Sequence, residues 1–200
     1  MVQTTELLNP KMLAGLLSLD VATHYTGYAF FKPIAKKDNT FIFYLKQYGN
    51  IKGKDKNFDI RCLEINSMVR GFMMGVLPSE LLIEYPTFQV GGRGTAASRG
   101  GDTLKLAFLC GKIACGWELY IAEMLKKGAH LGLAKRITPV QWKGQTTKAI
   151  TQHRCEKKYG LKMEQKVDDN WVDAIMMGDW YITKSGHEVK IDGNEIREDL

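Results

Sequence analysis

The sequence predicts an α/β protein whose mixed five-stranded sheet carries helices on both faces. Three β-like runs follow one another through short turns near the start of the chain. Apolar segments with helical spacing then alternate with two shorter β-like runs, which is typical of strands joined by helices. The chain has 200 residues, 44% of them hydrophobic, so it is long enough to bury the core of one domain.

The first three strands are expected at 16–22, 26–34 and 40–48, because these runs are rich in Leu, Phe, Tyr, Ile and Thr. Gly27 would permit a tight reversal between the first two strands. A helix over 57–76 is predicted from apolar residues that recur at helical spacing. The meander of three strands therefore leads into a first helix.

The next segments predict strands alternating with helices. A fourth strand is expected at 80–85. Asp102 would cap a helix of about 25 residues that ends near Lys126, whose positive charge suits a helix C-terminus. A short fifth strand is expected near 132–137. This order places parallel strands beside the meander.

Two final helices are predicted at about 146–159 and 169–183, followed by a polar tail over 184–200. The pair Asp192-Gly193 is a hairpin-turn signal, so we expect a small peripheral hairpin or a frayed end there. One domain over 1–183 followed by a polar C-terminal tail is the predicted organisation.

Several carboxylates lie at the ends of apolar strands or inside an apolar helix pattern, where acidic residues are unusual. Asp20 closes the run LLSLD and Glu84 closes LLIE, while Asp173 lies inside the apolar helix pattern WVDAIMMGDWY, just after Asp168 and Asp169. A buried carboxylate is costly unless something positive meets it, and hard divalent cations prefer such oxygen ligands. The alternatives are a cap for Asp20, a sheet-end salt bridge for Glu84, and an N-cap for Asp168 or Asp169.

The net charge of +6 is unevenly distributed. Residues 126–166 hold 11 Lys or Arg against Glu156 and Glu164, a balance of 11 − 2 = +9, so the rest of the chain carries 6 − 9 = −3. A basic segment beside an acidic cluster suits a polyanion such as nucleic acid. The alternative is a solvated helix face rich in lysine.

Several classes of protein are disfavoured. No apolar run approaches the roughly 20 residues that a membrane-spanning helix needs, and the N-terminus lacks a signal-peptide pattern, so a cytoplasmic location is expected. The glycine-rich stretch 91–101 lacks the G-K-[ST] of a P-loop, which disfavours a nucleotide cofactor. Buried free thiols are favoured over a disulfide or zinc site for the four cysteines, Cys62, Cys110, Cys115 and Cys155.

Four motifs follow one another along the chain: DVATHYTGYAFF, LLIEYPTF, TPVQWKGQTTKAI and VDDNWVDAIMMGDWY. Their order resembles RuvC-type Holliday junction resolvases of the RNase H-like superfamily, which include phage-encoded members. DVATHYTGYAFF, from Asp20, is similar to the family's first strand and hairpin, and LLIEYPTF to its second acidic strand. TPVQWKGQTTKAI resembles the lysine-bearing segment and VDDNWVDAIMMGDWY the last helix. The resemblance spans roughly 14–183 and implies an RNase H-like fold; a phage-encoded protein would act in the host cytoplasm.

The resemblance also implies a catalytic set. Asp20, Glu84, Asp169 and Asp173 would hold Mg²⁺, with Mn²⁺ as a substitute, and two ions are expected per site. Asp20 would be the bridging ligand. Lys143 would be catalytic, approaching the scissile phosphate. Where the family often has an acid or histidine, three residues before the last aspartate, this sequence has Asn170.

DNA contacts are expected from the basic segment and from the glycine-rich loop. Lys143 and Lys148 resemble family lysines that approach the DNA backbone. Arg93 and Arg99 would grip a branched backbone, and Phe88 or Tyr85 would wedge against unpaired bases. The alternative is a loop that makes no DNA contact. For Trp142, filling the core is favoured over stacking on a base.

These features together predict a magnesium-dependent, structure-selective DNA endonuclease that cleaves four-way junctions or other branched DNA. Two opposed nicks would require a symmetric dimer, which the helix over 102–126 could mediate. Another nuclease of the same fold, terminase-like or specific for RNA hybrids, is one alternative. A non-catalytic nucleic-acid-binding module is the other.

Overall fold

Seven strands form one mixed sheet in the computed structural model, which describes residues 15–35, 40–86, 101–129, 131–161, 170–191 and 197–198. The strands are β1 Leu16–Asp20, β2 Tyr25–Ala35, β3 Phe41–Lys52, β4 Glu80–Glu84, β5 Lys135–Ile137, β6 Glu188–Ile191 and β7 Arg197–Glu198. Within the described residues the helices are α1 Phe58–Val76, α2 Asp102–Lys126, α3 Pro139–Trp142, α4 Lys148–Tyr159 and α5 Asn170–Lys184.

The strand order is β5-β4-β1-β2-β3-β6, and β7 also pairs with β3. Pairs β1–β2 and β2–β3 are antiparallel, whereas β4 pairs in parallel with both β1 and β5. The predicted mixed sheet is therefore confirmed, but it has seven strands where five were expected, because β6 and β7 add to β3. Its first strand lies at the centre, between β4 and β2.

Alternation along the central strand separates two cores. Leu17 and Leu19 of β1 pack with buried residues of α1 and α2, including Trp117. Leu16 faces the other way, into a core with Ile175 and other residues of α5. Because side chains alternate between the faces of a strand, helices cover both faces, as the sequence predicts.

The C-terminal strands correct one prediction. β6 pairs in parallel with Ile42–Leu45 of β3, and β7 pairs in parallel with Gln47 and Tyr48 of the same strand. They extend one edge of the sheet and do not pair with each other, so the hairpin predicted from Asp192-Gly193 is not formed by them. Residues 192–196 themselves lie outside the described residues.

Two local predictions also need correction. Asp102 is the first residue of α2 rather than its cap; Gly101 takes the N-cap position with φ 74°, and Asp102 pairs with Lys105 at 3.5 Å. Cys62, Cys110 and Cys155 are buried free thiols as predicted, but Cys115 is exposed.

None of the described helices is both long and apolar enough to cross a bilayer.

Candidate active site

The carboxylates of Asp20 and Glu84 end two neighbouring parallel strands. Leu19 pairs with Ile83, so the next residue on each strand, Asp20 and Glu84, lies side by side at the same sheet edge. Leu17 and Leu19 face α1 and α2, and alternation turns Asp20 toward α5. The same argument turns Glu84 toward α5, because Ile83 belongs to the opposite face.

The first turn of α5 brings a third carboxylate to this edge. Asp173 is buried within that turn. Electrostatic interactions link Asp173 to both Asp20 and Glu84, and each interaction raises the pKa of the strand carboxyl. Three segments that are distant in sequence therefore bring acids to one end of the sheet. This is the convergence expected from the sequence.

Gly27 explains how α5 comes so close. It pairs with Asp20 across the β1–β2 ladder, and a Cβ atom at Gly27 would overlap the backbone of Asn170 and Trp171. The Asn170 amide donates a hydrogen bond to the Tyr25 carbonyl oxygen at 2.5 Å, which ties the helix start to β2. The expected turn role is wrong: Gly27 lies within β2, and it is needed because the helix backbone packs against it.

The segment after β5 supplies two polar contacts to the acids. The indole N–H of Trp142 donates to Glu84 Oε2 at 2.5 Å. Lys143 Nζ donates to Asp173 Oδ2 at 3.1 Å. Trp142 also packs against the core, as favoured from the sequence, but its hydrogen bond to Glu84 was not foreseen. The short helix α3 thus positions one donor on each of two carboxyl groups.

The two strand carboxyl groups have raised pKa values. Burial raises the pKa of Asp20 well above its ordinary value, and Glu84 and Asp173 add to the rise while Lys143 and Lys148 oppose it. Burial also raises the pKa of Glu84, against the effects of Lys143 and the Trp142 hydrogen bond. For Lys143, burial lowers the pKa, but Glu84, Asp173 and Asp20 outweigh it and the net shift is upward. Among the described residues, Lys143 is the lysine that contacts these acids directly, through Asp173.

The donor chemistry fits a hard divalent cation. Asp20, Glu84 and Asp173 supply only carboxylate oxygens, which Mg²⁺ prefers, and added positive charge would relieve their mutual repulsion. In the described part of the chain, no group of three acidic, imidazole or thiol side chains is placed so that it could hold a metal ion. Lys143 and Trp142 each engage one carboxylate oxygen instead. Asp20, Glu84 and Asp173 could hold a metal once these two contacts are exchanged for it.

The remaining predicted site residues divide into two groups. Lys148 begins α4, is exposed, and lies near enough to Asp20 to affect its pKa. The other group lies outside the described residues and comprises Phe88, Arg93, Arg99, Asp168 and Asp169. Their assignments stay predictions.

A buried arginine binds the backbone of the turn that follows Asp20. This role was not predicted from the sequence. Arg61 of α1 donates from Nε to the Thr23 carbonyl and from Nη1 to the Asp55 carbonyl, both at 2.7 Å. These bonds hold the turn that follows Asp20 against the loop after β3. The signal was a charged residue within the apolar pattern of the first helix.

Comparison with solved structures shows that the fold is shared with junction resolvases. A Thermus thermophilus RuvC structure is 15% identical with a TM-score of 0.56, covering 86% of this chain and 96% of that chain. T. thermophilus RuvC in complex with a Holliday junction substrate is 12% identical with a TM-score of 0.55, covering 86% and 95%. The yeast mitochondrial Holliday junction resolvase is 11% identical with a TM-score of 0.55, covering 86% and 81%.

The TM-scores and coverages show that the chain shares the fold of these RuvC-type structures, as the sequence resemblance predicts. No protein-family model matches the sequence. No curated protein matches it either. The residues of the site must therefore carry the argument for function.

Proposed function

We propose that this protein is a magnesium-dependent, structure-selective DNA endonuclease that cleaves four-way junctions or other branched DNA. The observation that carries the proposal is the convergence of Asp20, Glu84 and Asp173 at one end of the sheet. Two buried carboxyl groups, Asp20 and Asp173, beside the half-buried Glu84 are costly to a fold. A bound dication offsets that cost, so the cluster is best explained as a metal-dependent catalytic site. The shared fold with resolvases favours branched DNA as substrate.

The proposed chemistry is hydrolysis of a phosphodiester bond, which bound metal ions would assist. Two Mg²⁺ held by Asp20, Glu84 and Asp173 would make a water nucleophilic and stabilise the leaving oxygen. Asp20, on the central strand, would be a ligand to these ions. Trp142 holds one Glu84 oxygen in a fixed direction. Lys143 can exchange its hydrogen bond with Asp173 for one with the scissile phosphate.

Positive charge around the site supports a polyanionic substrate. The Lys143 ammonium borders the acids, and exposed Lys148 and Arg154 lie on α4. These residues belong to the segment 126–166 with its balance of +9. Phosphates of DNA would be attracted to this surface while the acids themselves repel them. A non-catalytic binding module would gain phosphate affinity by losing the acids, so their presence favours cleavage.

We further propose a symmetric dimer through the outer face of α2. Large apolar side chains are exposed along it: Leu104, Phe108, Leu119 and Leu125. In an antiparallel two-fold arrangement centred on Cys115, Phe108 would face Ala122 and Gly111 would face Leu119 of the second copy. Large side chains then oppose small ones, which permits close packing. Two active sites in such a dimer could make opposed nicks.

Oxidative crosslinking tests this interface with the natural sequence. Cys115 is exposed and the other three cysteines are buried, so copper-phenanthroline should yield a disulfide-linked dimer that reducing agent reverses. The Cys115→Ser variant should stay a dimer by light scattering but form no crosslink. A monomer by light scattering would refute the dimer. A dimer that does not crosslink would place the interface elsewhere.

A panel of substrates tests the proposed activity. With purified protein and Mg²⁺ we expect paired incisions at symmetric positions of a four-way junction, and slower cutting of linear duplex. Equal cutting of linear and branched DNA would instead favour a terminase-like nuclease. Cleavage of only the RNA strand of a hybrid would favour an RNase. Junction binding without cutting in Mg²⁺ or Mn²⁺ would leave a binding module.

A further inference from the structure

A cleft between α3, α4 and α5 lies beside the candidate active site. Its volume is about 470 Å³, within the range of ligand pockets. We call it the tryptophan cleft and define it by six of its lining residues, Trp142, Lys143, Arg154, Met176, Trp180 and Lys184. Nothing in the proposed cleavage chemistry uses its far end.

The tryptophan cleft shares a wall with the acids. Trp142 and Lys143 line the cleft, and the same two residues contact Glu84 and Asp173. Along α5, Lys184 at the far end is eleven residues from Asp173, or roughly 16 Å at 1.5 Å per residue. A strand whose phosphate sits at the acids could therefore continue directly into the cleft.

Charge in the cleft favours an anion. Asp179 is the acid among the lining residues, and it is buried. Both its oxygens accept from Lys158 Nζ, at 2.7 and 2.8 Å, and the Thr183 hydroxyl donates to one of them at 3.3 Å. The acid is thereby neutralised by its own partners. Among the described residues no carboxylate forms an ion pair with Arg154, whose side chain is exposed and could bind a phosphate.

Two indole rings give the cleft a second recognition element. Trp142 and Trp180 are both half-buried. Lys143 Nζ lies 4.9 Å from the centroid of the Trp142 ring, and Lys184 Nζ lies 4.7 Å from that of Trp180. Each ammonium lies over its ring as a cation–π contact. The exposed Lys184 side chain can turn from Trp180 to an adjoining phosphate and leave the ring face to a base. Paired bases inside a duplex expose no face for such stacking.

We infer that the tryptophan cleft binds one unpaired nucleotide of the DNA strand beside the scissile phosphate. The base stacks on Trp180, and the phosphate is bound by Arg154 and Lys184. The inference rests on the proposed function for placing the cleavage site at the acids. It adds a source of selectivity, because a branch point offers unpaired nucleotides that a linear duplex lacks.

The test measures binding of a labelled oligothymidylate of about ten nucleotides by fluorescence anisotropy in EDTA, so that no cleavage is needed. Trp180→Phe keeps an aromatic face, whereas Trp180→Leu keeps an apolar side chain without one. Trp180→Leu should bind roughly 5- to 150-fold more weakly, the loss expected for one stacked base. Trp180→Phe should stay within about 3-fold of wild type. Thermal unfolding of both variants identifies any loss through misfolding.

A second pair of variants tests the phosphate contact. Arg154→Ala should weaken binding and lower the salt slope by roughly one unit. Lys32→Ala removes an exposed charge from β2 and should change neither quantity. If Trp180→Leu binds as well as wild type, or if wild type binds no oligonucleotide, the inference is overturned even where junctions are cleaved. If the variants behave as expected but wild type cleaves no junction, nucleotide binding by the tryptophan cleft is supported and the proposed function is refuted.

Discussion

Replacing Gly27 with alanine tests how the candidate site is assembled. The new methyl group would overlap the Asn170 carbonyl and the Trp171 amide. The added Cβ would lie 2.1 Å from the nearest Asn170 atom and ordinary van der Waals contact begins near 3.4 Å, so the first turn of α5 must retreat by about 3.4 − 2.1 = 1.3 Å. Asp173 moves with that turn. Overpacking of this kind costs about 1–3 kcal/mol of stability, and a 1 Å misplacement costs about 100-fold in rate.

The assay pairs urea unfolding with single-turnover cleavage of a four-way junction. The matched control is Gly71→Ala in α1, where an added methyl meets nothing within 4 Å. It should raise stability by about 0.5–1 kcal/mol and leave cleavage unchanged, since alanine favours a helix over glycine. If Gly27→Ala unfolds and cleaves like wild type, close packing of α5 on β2 does not position Asp173, and the reasoning fails.

Three further predictions concern the acids and lysines. Cleavage should be nearly abolished in each of Asp20→Asn, Glu84→Gln and Asp173→Asn, because an amide ligates cations weakly. Junction affinity by gel shift should be kept or increased, because an amide repels phosphate less than a carboxylate does. If one of these variants cuts near the wild-type rate, the altered residue is not part of the site. Lys143→Ala and Lys148→Ala should each lower the salt slope of binding by roughly one unit, and an unchanged slope would refute the contact. Burial and the neighbouring acids raise the pKa of Asp20, so the folded protein holds the proton of this carboxyl group more tightly than the unfolded chain does. The free energy of unfolding therefore falls as the pH rises from the Asp20 pKa of the unfolded chain through the higher pKa of the folded protein. Calorimetry in EDTA at neutral pH should therefore show a higher Tm for Asp20→Asn than for wild type, and a lower Tm would contradict the electrostatic account.

Much of the sheet could be predicted from the sequence because its strands are apolar and its helices periodic. The central strand ending at Asp20, the parallel strand ending at Glu84 and the long helix reaching Lys126 all occur. Local patterns were less informative where tertiary contacts decide. The tail 184–200 has turn residues typical of a hairpin, yet its strands pair with β3, because the open edge of that strand offers long-range backbone partners.

The acids of the site were also predictable, since buried carboxylates at strand ends contradict the surrounding apolar pattern. The contacts between them were not. Gly27 suggested a turn, and only the path of α5 shows that backbone packing requires a glycine there. Trp142 was predicted to fill the core. Its hydrogen bond to Glu84 could not be predicted, because it depends on how α3 packs beside β4. The Arg61 bonds to loop carbonyls likewise depend on packing that spacing along the chain does not encode.

The most direct test of the central claim is cleavage of a supercoiled plasmid that extrudes a cruciform, assayed with wild type and Asp20→Asn in Mg²⁺. Paired nicks by a dimer with two metal-dependent sites should convert the plasmid to linear DNA. Asp20→Asn should yield no linear product, and mixed dimers carrying one altered subunit should yield nicked circles. Linearisation by Asp20→Asn at the wild-type rate, or by wild type in EDTA, would contradict a metal-dependent site built on Asp20.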